Sequence, residues 1–186
     1  MTEGLTVRAV HSSADMRIPS MSALVLAATV AACVGRALPS SRDSGRPSSG
    51  ATSTAPASVD RDVIRYTNAA RARNGVPPLA ENAKLMAAAS IQSQQMAQFQ
   101  RADHTIDGAQ YPTLQARLQA VAYVYSNAAE NVAWNQRDAP SVVSSWMSST
   151  GHRANILDPA LREIGVAMTQ SANGERYWVQ VFGSPR

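Results

Sequence analysis

Two strand patterns near the end of the chain constrain its fold more than any other feature. Residues 163–169 and 176–182 alternate or cluster apolar side chains, and Asn173-Gly174 lies between them. Both turn residues tolerate positive φ, which favours a tight antiparallel hairpin. The segments before this hairpin are mostly helical in pattern. Helices first and an antiparallel hairpin late indicate an α+β fold rather than a parallel βαβ fold.

Four segments upstream have helical periodicity, and two shorter ones read as extended. The first helix begins near Val59 with Ser58 as its N-cap, and Asn74-Gly75 ends it. The second is rich in Ala, Gln and Met, residues that favour helix. The predicted helices span about 59–73, 81–98, 112–120 and 140–151, and the short extended pieces are 123–125 and 131–134.

Charge gives little support for a nucleic-acid partner. The chain has 186 residues and a formal charge of +4. From Val59 to Arg186 there are 12 Lys+Arg and 10 Asp+Glu, so this part carries 12 − 10 = +2. Its arginines are scattered, whereas nucleic-acid binders concentrate basic residues on one face. We therefore expect no nucleic acid among the partners.

The single cysteine lies at the end of an apolar run near the N-terminus. Residues 21–34 form a run of 14 residues, shorter than the roughly 20 that span a membrane and suited to a signal peptide. Val30-Ala31-Ala32-Cys33 resembles a bacterial lipobox, which predicts an exported lipoprotein acylated at Cys33 and anchored to the membrane at the cell surface. Ordinary secretory cleavage and an uncleaved apolar anchor are the alternatives.

These patterns divide the chain into three parts. Residues 1–32 are the predicted signal region, of which 1–15 have no evident role and suggest a start codon upstream of the true start at Met16. Residues 33–58 comprise Cys33 and a segment rich in Ser, Pro and Gly, which predicts a disordered tether. Residues 59–186 form the predicted domain.

Three polar residues far apart in this domain are candidates for one pocket. They are His104 in Asp103-His104-Thr105, Glu130 in Glu130-Asn131, and His152 in a predicted Gly151-His152-Arg153 turn. Two imidazoles and a carboxylate can hold Zn²⁺ with a position left for water, or a histidine beside a carboxylate can act as a general base. The alternative of equal weight is that Glu130 and His152 form a buried hydrogen-bonded link that stabilises the fold and has no role in chemistry.

The order and spacing of the motifs resemble the CAP superfamily of cysteine-rich secretory proteins, antigen 5 and pathogenesis-related proteins, in a cysteine-free bacterial form. The resemblance covers about residues 63–183, and its most specific part is Gly151-His152-Arg153-Ala154-Asn155-Ile156-Leu157 followed by Glu163-Ile164-Gly165-Val166. It implies a three-layer α-β-α sandwich with a small antiparallel sheet between helices. It also implies a cleft lined by two His and two Glu, matched here by His104, Glu130 and His152, while Ser149 stands at the second Glu position.

The resemblance leaves the activity open. We expect a surface-anchored protein whose cleft binds a lipid, small ligand or cell-envelope component without turnover. The alternative is a zinc-assisted hydrolase acting on peptide or cell-wall material, with His104 and His152 as metal ligands. A third interpretation is a scaffold or adhesion module that does not use the cleft. One carboxylate in place of two weakens any mechanism that needs separate acid and base groups.

Overall fold

The computed structural model describes residues 6–9 and 56–186, which belong to one compact unit. Most of the predicted signal region and of the predicted tether lies outside these residues, as does Cys33. The signal peptide, the acylation of Cys33 and the tether therefore stay predictions. The helices are α1 (Pro56–Arg73), α2 (Ala83–Phe99), α3 (Leu114–Ala120), α4 (Ala139–Ser148) and α5 (Thr150–Leu157). The strands are β1 (Thr6–Ala9), β2 (Ala80–Glu81), β3 (Tyr125–Trp134), β4 (Glu163–Gln170) and β5 (Arg176–Pro185).

The strands form one sheet in the order β1-β3-β5-β4-β2. The β4–β5 pair is antiparallel with a turn at Gly174, whose φ is +88°, so the predicted hairpin is confirmed. β3 pairs antiparallel to the other side of β5. β1 and β2 are each parallel to their neighbours. The sheet is therefore mixed, whereas an antiparallel sheet was expected.

Side-chain caps fix where three of the helices begin. The Asn82 side chain accepts hydrogen bonds from the first turn of α2, and the Thr113 side chain does the same for α3. Asp138 and Ser141 form a reciprocal capping box at the start of α4. Each cap satisfies backbone N–H groups that have no partner within the helix. The observed helix starts therefore follow from local chemistry.

Two hydrophobic clusters lie on opposite faces of the sheet. On one face, α1, α4 and α5 pack against it, and Trp146 and Ile156 meet Trp178 and Phe182. On the other face, side chains of α2 and α3, among them Leu85, pack against the remaining sheet residues. Helices therefore cover both faces, and the predicted three-layer α-β-α sandwich is confirmed.

Two local predictions need correction. Of the two predicted extended pieces, only Tyr125 of the first and all of 131–134 are strand residues, and both lie in β3, which has a register shift between Tyr125 and Asn127. Tyr123 and Val124 precede the strand. The Gly151-His152-Arg153 segment is not a turn but the first part of α5, because the extended backbone of Ser149 ends α4 and a new helix begins at Thr150. Residues 6–9, within the segment 1–15, pair with β3 as β1, and the true start at Met16 stays a prediction.

Candidate functional site

Glu130 is the centre of a buried polar cluster. It lies on β3 and its side chain is fully buried. Its Oε1 is 2.9 Å from His104 Nδ1, and its Oε2 accepts a hydrogen bond of 2.8 Å from Arg117 Nη2. A buried carboxylate is costly unless it is paired and hydrogen-bonded, and here both oxygens have partners.

Arg117, on α3, was not among the predicted site residues. Besides Glu130, its guanidinium donates to the backbone carbonyls of Tyr111, Pro112 and His104, each at 3.3 Å. The side chain therefore holds the loop that carries His104 as well as the Glu130 carboxylate. A signal for it is present in the sequence, because Arg117 falls in the apolar stripe of α3 between Leu114 and Leu118.

His152 is tied to β3 through two asparagines. Asn131 Nδ2 donates to the backbone carbonyl of His152 at 3.2 Å. Asn155 Nδ2 donates to the Glu130 backbone carbonyl at 3.2 Å and to Asn131 Oδ1 at 2.9 Å. The Asn155 side chain therefore joins α5 to β3. Because this network is buried, it fixes α5 against the strand that carries Glu130.

The two histidines lie close enough to influence each other's charge. His104 is 5% exposed and His152 6%. Burial, together with a smaller effect of the neighbouring His104, lowers the pKa of His152 from 6.5 to about 4. A buried imidazole loses the hydration of its charged form, so His152 is neutral at physiological pH. The three predicted residues thus belong to one region of the fold, in which a carboxylate contacts one imidazole directly and a neutral imidazole lies nearby.

Other polar residues singled out in the sequence lie elsewhere or serve the fold. Asp103 pairs with Arg101 at 2.6 Å. Ser149, at the position where the family has its second Glu, is the residue at which α4 ends and α5 begins, and its side chain makes no capping bond. Trp146 and Trp178 are buried in the core.

The donor set does not fit the predicted three-ligand zinc site. Within residues 6–9 and 56–186, no group of three or more His, Cys, Asp and Glu side chains could hold a metal ion. Both oxygens of Glu130 are already engaged, one of them by the cation Arg117. Catalytic zinc is usually held by three protein ligands. Zinc binding by His104 and His152 alone stays the untested alternative.

The fold is an α-β-α sandwich with a buried polar cluster between β3, α3 and α5. Comparison with known proteins identifies the family that has this fold. Residues 64–182 match the family described as CAP, the cysteine-rich secretory protein family. The chain belongs to the CAP family.

Curated relatives include two proteins of Bacillus subtilis strain 168. YkwD, described as uncharacterized, is 35% identical over 137 residues, which is 70% of this chain and 50% of YkwD. YlbC, described as an uncharacterized membrane protein, is 26% identical over 123 residues, which is 66% of this chain and 34% of YlbC. The chain thus spans half or less of the length of the curated relatives it matches.

Solved structures share the fold. An extracellular SCP-domain protein of Bacillus anthracis superposes with a TM-score of 0.63 at 24% identity, covering 75% of this chain and 45% of that protein. An outer surface protein of Borrelia burgdorferi gives a TM-score of 0.62 at 17% identity, covering 68% of this chain and 92% of that protein. Both likenesses establish the fold alone. In the part of this chain that the structure describes, no helix has the length and apolar character needed to cross a membrane.

Proposed function

We propose that this CAP domain is exported and binds a cell-envelope component or small polar ligand, without turnover, at the region formed by His104, Glu130 and His152. One observation carries the proposal: the Glu130 carboxylate is fully buried and divided between His104 and Arg117. A carboxylate committed in this way supports the position of an imidazole. It is poorly placed to accept a proton from a substrate.

The neutral state of the His152 imidazole also favours ligand binding. As a neutral imidazole it offers one N–H donor and one acceptor nitrogen, and this pair suits hydroxyl, amide or peptide groups of a ligand. The asparagine network through Asn131 and Asn155 restricts α5, so little conformational freedom is lost when a ligand binds. The ligand that this chemistry fits is polar and uncharged at the contact.

Export and anchoring belong to the same proposal. Cys33 follows Val30-Ala31-Ala32, and the segment from Gly35 to Ala55, before α1 begins at Pro56, is long enough to hold the domain away from a membrane. Acylation at Cys33 would keep the domain at the cell surface, where envelope components are available.

The test uses thermal unfolding with separated envelope fractions: peptidoglycan fragments, total lipid and envelope peptides. One fraction is expected to raise the melting temperature of the wild-type protein and to have no effect on His152→Gln, since binding only the folded state stabilises it. Arg137→Gln, at an exposed ion pair with Asp138, is the matched control and should respond like the wild type. An equal rise in melting temperature for all three proteins would show that binding occurs away from this site. No rise with any fraction would refute the proposal.

The same assay examines the hydrolase alternative. Zinc is added to the wild type and to His104→Gln and His152→Gln. A rise in melting temperature that both substitutions abolish would favour a metal site formed by the two imidazoles, against the binding proposal. We expect zinc to leave all three melting temperatures unchanged.

A further inference from the structure

The edge of the sheet beside the candidate site is covered by the N-terminal segment of the chain itself. β1 pairs in parallel with β3 in a continuous register from Thr6 opposite Asn127 to Ala9 opposite Glu130. β1 is the outermost strand, so within the described residues β3 has no other strand partner on that side. The last register position of β1 therefore lies beside the residue at the centre of the polar cluster.

The surroundings of β1 are those of the site. β1 also contacts α3, the helix that carries Arg117. His104 bonds to Glu130, and the His152 carbonyl bonds to the next residue of β3, Asn131. An extended segment along this edge thus runs from Asn127 towards both histidines.

Polar atoms on the same two elements lack partners. Arg117 Nε on α3, and Tyr125 Oη and Asn127 Oδ1 on β3, are buried side-chain atoms without a hydrogen bond within the described part of the chain. Buried donors and acceptors in native proteins are nearly always paired, with protein, water or ligand. This end of β3 therefore has capacity for further polar contacts.

Export as proposed above and the presence of β1 exclude each other. Cleavage before Cys33 removes residues 1–32, and with them Thr6–Ala9. β3 would then present a row of unpaired backbone N–H and C=O groups, which readily pair with another extended chain. Addition of a strand to such an edge is a general mode of peptide recognition, in which the main chain supplies affinity.

We infer that the edge of β3 from Asn127 to Glu130 is a binding site for an extended peptide running parallel to β3, and that β1 occupies this site until it is removed. The inference rests on the proposed function in so far as export uncovers the edge. It names the ligand class as polypeptide and the mode as strand addition.

The test uses the full chain, produced without export so that residues 1–32 are retained. The double variant Val7→Pro, Arg8→Pro removes two consecutive N–H groups from β1. Alternate residues of an edge strand direct their N–H groups to the neighbouring strand, so one of the two must face β3. Val7→Ala, Arg8→Ala keeps both N–H groups and is the matched control.

The probe is a synthetic peptide with the sequence of residues 4–11. We expect it to bind the proline variant at least about tenfold more tightly than the alanine variant or the wild type, in which the tethered β1 competes at high effective concentration. Amide hydrogen exchange should slow at residues 127–130 on binding. The same peptide carrying both proline substitutions should not bind.

Failure of binding to the proline variant, or binding that leaves exchange at residues 127–130 unchanged, would overturn the inference. If the double variant no longer unfolds cooperatively, it is replaced by the single substitutions Val7→Pro and Arg8→Pro, one of which retains the N–H group that faces β3.

The result of the peptide-binding test is independent of the envelope assay. Peptide binding at the edge can succeed where no envelope fraction binds, and an envelope ligand lost in His152→Gln can exist without strand addition.

Discussion

Glu130 and Arg117 form an ion pair with an Oε2–Nη2 distance of 2.8 Å, and neither side chain is exposed to solvent. The same carboxylate bonds His104, so one buried anion joins β3, α3 and the loop before α3. A pair of this kind is costly to break, because removal of one partner leaves the other charge buried without compensation. The cluster therefore contributes to the architecture of the site as well as to its chemistry.

Glu130→Gln should lower the free energy of unfolding by about 3–5 kcal/mol, since it leaves the Arg117 charge uncompensated. Urea unfolding at pH 7 measures the change. Glu81→Gln is the control, because its ion pair with Arg61 is long, at 3.8 Å, and exposed; we expect a change below about 0.5 kcal/mol there. Adding Arg117→Met to Glu130→Gln should recover part of the loss. A cost below about 1 kcal/mol for Glu130→Gln would contradict a buried charged pair.

The low pKa of His152 predicts a specific dependence of stability on pH. Its pKa is about 4 in the folded protein and near 6.5 when unfolded, so between these values the unfolded chain binds more protons. The contribution of His152 should therefore lower the free energy of unfolding as the pH falls from 6.5 to 4, by on the order of 2 kcal/mol in total.

Urea unfolding of the wild type and His152→Gln at pH 7 and pH 4.5 isolates this contribution. Titrating groups that do not interact with His152 act in both proteins and cancel in the difference, which therefore reports His152 together with its interaction with His104. The wild type should lose more stability than the variant between the two pH values. Equal losses would show that His152 titrates normally in the folded protein and is not buried as described.

Gly165 brings β4 into close contact with α2. A Cβ at this position would overlap the backbone of Leu85 and Met86. Backbone atoms cannot move aside as a side chain can, so Gly165→Ala should cost at least about 3 kcal/mol. At Gly183 the atoms nearest to a Cβ would be those of the Tyr123 side chain, and Gly183→Ala should cost less. Thermal unfolding compares the two, and a Gly165→Ala protein as stable as the wild type would contradict this packing.

Cys33 decides whether the domain is anchored. Cys33→Ala should release the protein from the membrane fraction of an expressing bacterium, because the acylated side chain is lost. The substitution should leave the fold intact, so the melting temperature of the released protein should match that of the wild-type protein. Persistence in the membrane fraction would refute lipidation as the anchor. Cell fractionation and immunoblotting provide the measurement.

The parts of the fold that local patterns encode could be predicted from the sequence. Asn173-Gly174 between two apolar runs indicated the β4–β5 hairpin, and helical periodicity gave the four helices α1 to α4. The α-β-α arrangement came from resemblance, since packing of helices on both faces depends on contacts between distant residues. His104 and Glu130 were also singled out through the order of motifs, and the structure joins them directly.

What the sequence could not predict depends on long-range pairing. Arg117 is one arginine among scattered arginines, and most such side chains are solvated, so its burial against Glu130 is visible only when α3 meets β3. β1 is four residues long and pairs with a strand more than a hundred residues away, which no local periodicity reports. α5 was missed because Gly151 in its first turn favours a loop.

The most direct test of binding at this site is ring-nitrogen NMR of His104 and His152 during titration with the envelope fraction that stabilises the protein. We expect the resonances of both imidazoles to shift and saturate together, with His152 neutral throughout at pH 7. Stabilisation of the protein without a change at either imidazole would place binding elsewhere and contradict the proposed site.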